Sequence, residues 1–234
     1  MYKRVLLKIS GEALSSESAP LCQKTIEDTA WRIAALYARG VQIGIVTGGG
    51  NILRGRSAGN MERNRADHMG MLATAINSLA LQDALEKRGV PCATLSAIAM
   101  HRICGEYTAR DAHSLLASGH VVLFACGTGS PFFSTDTGAA LRAAEIGADV
   151  LLLAKNVDGV YSADPRIDPL AVRYSRLTYA RVIEENLQAT DLTAITLCRE
   201  QHIPIHVFRL DELAAVCDGG EAGTVIDDGA GVES

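Results

Sequence analysis

Residues 121 to 154 read V-V-L-F-A-C-G-T-G-S-P-F-F-S-T-D-T-G-A-A-L-R-A-A-E-I-G-A-D-V-L-L-L-A, and this stretch decides the fold class. Val121–Ala125 is a short apolar run, the pattern of a strand buried on both faces. Gly127-Thr128-Gly129-Ser130-Pro131 follows at once. Thr135-Asp136 then opens an alanine-rich helical segment that ends near Gly147, and Val150–Ala154 is a second apolar strand. Strand, helix and strand in this order predict a crossover between parallel strands.

The alternation extends in both directions. Arg4–Ile9 and Val41–Val46 read as buried strands. Between them Ile26, Ala30, Ile33 and Tyr37 recur at helical spacing, and Gly40 closes the helix. Asp67 opens a long helical pattern with Met69, Leu72, Ile76 and Leu79 on one face, stopped by Gly89-Val90-Pro91. Cys92–Leu95 is a short strand, and Ala109–Ala117 is a helix ended by Gly119. Beyond residue 154, D-G and D-P pairs give Val157–Pro169 turn chemistry. Helices lie within Thr178–Leu187 and Leu192–Gln201, Ile203–Phe208 is a strand, Asp211–Val216 is a short helix, and Gly223–Ile226 is a last strand. The chain is therefore α/β, with a mostly parallel sheet covered on both faces. Its 234 residues suit one such domain or two tightly joined lobes, and no linker, repeat or low-complexity tract divides them.

Composition narrows the function classes. The formal charge of −5 argues against a protein whose main task is to coat nucleic acid. Aromatic residues are only 5%, so the core must rest on Val, Ile, Leu and Ala. Six cysteines, at 22, 92, 104, 126, 198 and 217, show no C-x-x-C spacing, which predicts reduced thiols rather than zinc ligands. The opening Met-Tyr-Lys-Arg leads straight into a strand-like run, and no apolar run approaches the ~20 residues of a membrane span. We expect no signal peptide, no membrane partner and a cytoplasmic location.

In open parallel sheets ligands bind beyond the carboxyl ends of the strands. Four such ends carry unusual residues: Lys8-Ile9-Ser10-Gly11, Gly48-Gly49-Gly50-Asn51, Gly127-Thr128-Gly129-Ser130 and Lys155-Asn156. Glycines let backbone N–H groups approach an anion, and a following helix adds partial positive charge. Three glycine-bearing loops on one rim point to more than one phosphate group. Neither a Walker A pattern nor a dinucleotide fingerprint after the first strand is present. G-x-S-x-G and H-E-x-x-H are missing too.

Phosphoryl transfer asks for positive charge on the moving group and for in-line alignment. Lys8, Arg54 and Lys155 fit by position. A lysine inside an apolar run is costly unless its charge is used, which singles out Lys8; for Lys155 a solvated turn is an equal alternative. Asp136 suits a helix N-cap, or the holding of a lysine or a magnesium-bound water. Asp67 suits an N-cap or a sugar hydroxyl. Asp164, in S-A-D-P, suits a turn or a nucleotide contact.

Together these residues resemble the bacterial UMP kinases of the amino-acid-kinase fold. The similarity runs from about Tyr2 to Ile226. It is carried by K-I-S-G-E-A-L at 8–14, G-G-G-N-I-L-R-G at 48–55, D-H-M-G-M-L-A-T at 67–74, G-T-G-S-P-F-F-S-T-D at 127–136, V-D-G-V-Y-S-A-D-P at 157–165 and A-G-T-V-I at 222–226. The resemblance implies a three-layer α/β/α sandwich and a homo-oligomer, in the family a hexamer. It implies a single domain over 1–234, with a UMP-binding lobe over roughly 1–148 and an ATP-binding lobe over 149–234. ATP with Mg2+ is the donor, and the reaction gives UDP and ADP for pyrimidine nucleotide synthesis.

Carried over by residue, Lys8, Ile9, Ser10, Gly11, Gly50, Arg54, Lys155, Tyr161 and Asp164 are expected to contact ATP. Gly49, Asp67, Thr128, Gly129, Ser130, Pro131, Phe132, Phe133, Ser134 and Thr135 are expected to contact UMP. Lys8, Arg54, Asp136 and Lys155 are the catalytic candidates, and none of these residues is assigned as a direct metal ligand.

The sequence departs from the family in three places. Ser15–Gln23 lacks the glycine-rich character common there. Many relatives carry Thr where Lys155 stands. Gln82, Glu86 and Ala93 occupy a region that is basic in relatives activated by GTP, which implies weak or no activation here. Three rival classes stand beside it: a kinase of the same fold acting on carbamate, aspartate or acetylglutamate, a nucleotide sensor without catalysis, and a nucleic-acid-binding domain, which the acidic balance disfavours.

Overall fold

A computed structural model describes residues 2–53, 61–168, 170–220 and 222–229. The strands are β1 (Arg4–Ile9), β2 (Gln42–Thr47), β3 (Cys92–Ser96), β4 (Gly105–Glu106), β5 (Val121–Ala125), β6 (Val150–Lys155), β7 (Val160–Tyr161), β8 (Arg173–Tyr174), β9 (Arg176–Leu177), β10 (Ile205–Arg209) and β11 (Thr224–Ile226). The helices are α1 (Gln23–Tyr37), α2 (Arg63–Glu86), α3 (Ala109–Ala117), α4 (Thr135–Ile146), α5 (Tyr179–Glu184), α6 (Leu192–Glu200) and α7 (Leu213–Cys217).

Among the described residues nine strands form one sheet, in the order β4-β3-β5-β2-β1-β6-β10-β11-β9. Its pairings are parallel except for β10 with β11. Two-residue strands such as β4, β7, β8 and β9 carry no periodicity, and the sequence did not announce them. The stretch from Ser15 to Gln23 forms a tight turn, bridged by Ser16 and Ala19.

Side chains alternate across the strands, so each strand feeds two cores. Val5, Leu7 and Ile9 of β1 pack with Val150, Leu152 and Ala154 of β6 beneath α1, α2 and α7. Leu6 of β1 packs with Leu151 and Leu153 of β6 on the opposite face, beneath α3 to α6. That layering is the expected three-layer sandwich. Gly138, Ala139, Ala140 and Ala143 are buried, and these small residues let α4 lie close on the sheet.

One expectation changes. The long helix starts at Arg63, capped by Glu62, which accepts from the Asn64 N–H; Asp67 lies in its second turn and is not a cap. Met69, Leu72 and Ile76 do share a face, but they are 40%, 50% and 46% exposed, so that face looks away from the core. The buried face instead carries mostly small residues, including Ala66, Ala73, Thr74, Ala75, Asn77, Ser78 and Ala84. Their size sets how closely α2 approaches the sheet. No helix among the described residues is long and apolar enough to cross a membrane.

Candidate active site

The period of two decides which way the lysines point. Lys8 shares the parity of Leu6, and Lys155 that of Leu151 and Leu153, so both side chains leave the sheet on the α4 face. The first turn of α4 supplies the partner. Asp136 Oδ2 accepts from Lys155 Nζ at 2.6 Å and from Thr190 Oγ1 at 2.8 Å. Its Oδ1 faces Lys8 Nζ at 2.6 Å, an ion-pair contact outside hydrogen-bond alignment. Lys8 is 7% exposed. Burial by itself would raise the Asp136 carboxyl, but the two ammonium groups outweigh it and hold the carboxyl well below the usual carboxylate range.

Asp136 is therefore not the cap of α4. That cap is Ser134, whose Oγ accepts from the N–H groups of Asp136 and Thr137, each at 3.0 Å. Lys155 is the last residue of β6 and pairs with a buried carboxylate, so the solvated-turn alternative falls.

A cavity of about 220 Å3 opens beyond β2 and β5. Gly49, Gly50, Asp67, Gly70, Met71, Thr74, Cys126, Gly127, Thr128, Ser130, Phe133, Ser134 and Thr135 line it. Gly49 must be glycine, because a Cβ there would stand 2.8 Å from the Gly70 carbonyl of α2. Asp67 ties α2 to the loop after β5. It accepts from Arg63 Nε at 2.8 Å and from the Phe132 N–H at 2.8 Å. Burial would raise its carboxyl; these donors prevail and lower it.

The loop from Gly127 to Ser134 is held locally. Thr128 Oγ1 donates to the Ser130 carbonyl and accepts from the Ser130 N–H. Gly129 (φ 80°) sits against the Ala97 carbonyl, where a Cβ would approach to 3.0 Å. Pro131 is half-buried, whereas Phe132 and Phe133 are largely exposed.

A second cavity, about 480 Å3, lies beyond β6 and is lined by Val157, Gly159, Tyr161, Ser162, Asp164, Asn186 and Leu187 among others. The Tyr161 hydroxyl donates to Asp158 Oδ1 at 2.8 Å. Asp164 has the turn role foreseen for it, accepting from the Arg166 N–H and guanidinium, and it also borders this cavity.

Strand order places Lys8 between the two cavities, because β1 lies between β2 and β6, and Lys155 stands at the end of the adjoining β6. At the end of β1, Ser10 leads into a 3-10 turn over Gly11–Leu14. Gly11 touches the neighbouring loop so closely that a Cβ would fall 2.2 Å from Asn51 Oδ1. The Ile9 side chain belongs to the core and its carbonyl accepts from the Gly48 N–H, so it shapes the rim through the backbone. Gly50 has open space where a side chain would stand. Arg54 lies outside the described residues.

Sequence reasoning missed Thr190 and Asp191. Asp191 caps α6 through the Ala194 N–H at 2.9 Å, accepts from Thr137 Oγ1 at 2.8 Å, and also accepts from the Ser134 hydroxyl. One carboxylate thus joins the starts of α4 and α6. A Thr-Asp pair directly before an apolar helix is a visible cap signal, but its partners lie 54 and 57 residues away.

The family model described as the amino acid kinase family matches residues 3–209. The uridylate kinase of Saccharophagus degradans is 48% identical, with 96% of this chain and 94% of that protein covered. The uridylate kinase of Pseudomonas aeruginosa is 49% identical, with 97% and 96% covered. Among solved structures, the UMP kinase from Bacillus anthracis superposes with a TM-score of 0.95 at 37% identity, covering 98% of this chain and 97% of that one. The UMP kinase from Ureaplasma parvum gives 0.92 at 37% identity, covering 97% and 100%.

Proposed function

This chain belongs to the amino acid kinase family, and on that premise we propose that it is a UMP kinase, moving the γ-phosphoryl group of ATP onto UMP to give UDP and ADP. One observation carries the reading. Two ammonium groups, Lys8 and Lys155, meet one carboxylate at the head of α4, between a cavity beyond β2 and β5 and a second beyond β6. A transferring phosphoryl group carries its charge on equatorial oxygens, and fixed cations between donor and acceptor are what lower its barrier.

In this assignment UMP occupies the smaller cavity, against Gly49, Asp67 and Thr128 to Thr135. ATP extends from Lys8–Gly11, Gly50 and Arg54 past Lys155 to Tyr161 and Asp164. The acceptor lobe is then roughly 1–148 and the donor lobe 149–234. Asp136 keeps the two ammonium groups apart and oriented until phosphate oxygens replace part of its role. Among the described residues lining either cavity none is a histidine. No serine or cysteine there has an imidazole to deprotonate it, which favours direct in-line transfer over a phosphorylated enzyme.

The described residues contain no group of three His, Cys, Asp or Glu side chains able to cage a metal. That donor set suits a magnesium ion that arrives on the triphosphate, since Mg2+ is commonly held by substrate phosphates with one or two carboxylates. Asp136 is the carboxylate that would hold a water of that ion, and the ion would neutralise phosphate charge. We further propose a cytoplasmic homo-oligomer, a hexamer as in the family. The exposed Met69, Leu72 and Ile76 stripe of α2 supports an interface between copies.

A coupled assay for UDP formation from ATP and UMP tests the assignment, with CMP, carbamate, aspartate and acetylglutamate as alternative acceptors. UMP is expected to be the preferred acceptor. Faster turnover of any other would overturn the acceptor assignment. Binding of both nucleotides with no UDP would identify a sensor.

A further inference from the structure

Two buried polar side chains hold the glycine loops from behind. Asn77 of α2 is fully buried and donates Nδ2 to the Gly48 carbonyl at 2.6 Å. Its remaining amide capacity is met by Asn51, through contacts of 2.8 and 3.0 Å in the two directions. Arg142 of α4 is 4% exposed and donates Nη2 to the Gly127 carbonyl at 3.1 Å. Its guanidinium stacks 3.7 Å from the centre of the Tyr107 ring, and its Nη1 meets Glu145 Oε2. That same oxygen accepts from the Tyr107 hydroxyl at 2.5 Å. The two arrangements match. Each donor comes from the helix that follows its loop, and each takes the carbonyl of the loop's first glycine.

The consequence follows from peptide geometry. In a trans peptide the carbonyl of one residue and the N–H of the next point in opposite directions, and no peptide among the described residues is cis. A Gly48 carbonyl turned to Asn77 therefore turns the Gly49 N–H away from it. A Gly127 carbonyl turned to Arg142 does the same for the Thr128 N–H. Neither N–H has a hydrogen-bond acceptor among the described residues, and Gly49 and Thr128 both line the smaller cavity.

We propose that Asn77 and Arg142 are positioning residues that aim the Gly49 and Thr128 N–H groups at the phosphate of the acceptor nucleotide. This rests on the UMP kinase assignment. Without its donor, either peptide plane is free to rotate and to present a carbonyl oxygen to the phosphate, which repels it. The arginine has a second task that lysine cannot fill, because only a planar fork spans the Gly127 carbonyl and Glu145 while lying flat on Tyr107.

The test compares UMP with uridine, which lacks the phosphate. Calorimetry and competition would be run on the parent chain and on Arg142→Lys and Asn77→Ser, alongside thermal melting. We expect UMP binding to weaken about tenfold or more while uridine binding stays within about twofold. Equal weakening of both ligands would assign a merely structural role and overturn the proposal, as would unchanged binding of both. Should a variant fail to fold, amide resonances of the parent decide. Gly49 and Thr128 must shift with UMP and not with uridine, and absence of that difference overturns the proposal. If the parent itself makes no UDP, the assigned activity falls instead, an outcome separate from the loss of phosphate preference in the variants.

Discussion

Replacing Asp136 by asparagine removes a charge and keeps the shape. The carboxylate stands 2.6 Å from Lys8 Nζ and 2.6 Å from Lys155 Nζ. Lys155 has 23% of its side chain exposed and can turn outward, whereas Lys8 has 9% and cannot without moving the strand. The substitution thus leaves one buried cation uncompensated. Removing one partner of a buried pair costs about 3–5 kcal/mol, and with one lysine able to escape we expect the lower end, about 3 kcal/mol. In a chain of this length that lowers Tm by roughly 6–12 °C. The catalytic rate should fall at least about tenfold, which corresponds to ~1.4 kcal/mol of lost transition-state stabilisation, because both ammonium groups lose their orientation. Acid supplies a further check. The folded carboxyl titrates below its unfolded value of about 3.9, so its contribution is complete above about pH 4 and is lost as the pH falls further. The stability gap between parent and Asp136→Asn should therefore narrow in that acid range. Thermal melts from pH 7 to pH 3 and a coupled UDP assay measure these effects. A variant that melts within about 2 °C of the parent at pH 7 and turns over at the parental rate would refute the reasoning.

Other perturbations follow from single contacts. Gly11→Ala puts a Cβ 2.2 Å from Asn51 Oδ1 and 2.9 Å from the Gly48 carbonyl oxygen. A loss of about 1–3 kcal/mol in denaturant melts is expected, together with a higher KM for ATP. His206 is buried, its Nε2 meets the Ala222 carbonyl at 2.7 Å, and its Nδ1 has no hydrogen-bond partner among the described residues. Burial lowers its pKa despite that carbonyl and Glu212, so the unfolded chain takes up the proton first. Its stabilising effect should be whole above about pH 6.5 and decline as the pH falls to 5, a slope that His206→Gln should flatten in melts across that range. Gln82 donates to Glu86 on α2 and Thr94 donates to Gln82, so these positions carry no positive charge for a second nucleotide and their polar groups engage one another. Initial rates with and without GTP should agree within about twofold; a several-fold rise abolished by mutating this surface would contradict it.

Much of the fold was legible because burial is periodic. The apolar runs at β1, β2, β5 and β6 and the glycine loops behind three of them announced a parallel sheet with a ligand-binding rim. Lys8 stood out because a cation inside such a run is costly. The long helix was legible only in part. Met69, Leu72 and Ile76 share a face by spacing, yet spacing does not say whether that face meets the core or another surface. The small residues on the opposite side decided it. Asp67 and Asp136 looked like caps because Asp is a good cap residue, but Glu62 and Ser134 held those places and freed both carboxylates for contacts across the site.

The amino-acid order by itself determined the longer elements and the class of sheet. Those are local properties, set by side-chain alternation and by turn chemistry within a few residues. Only the tertiary structure decided that Asp136 meets both lysines, that Asp191 joins two helix starts, and that Asn77 and Arg142 each hold the carbonyl of a glycine loop. Each of these depends on groups brought together by the stacking of helices on a nine-stranded sheet. Hydrogen bonds and ion pairs act over about 3 Å, and no pattern along the chain encodes a distance between residues more than a hundred positions apart, such as Lys8 and Asp136.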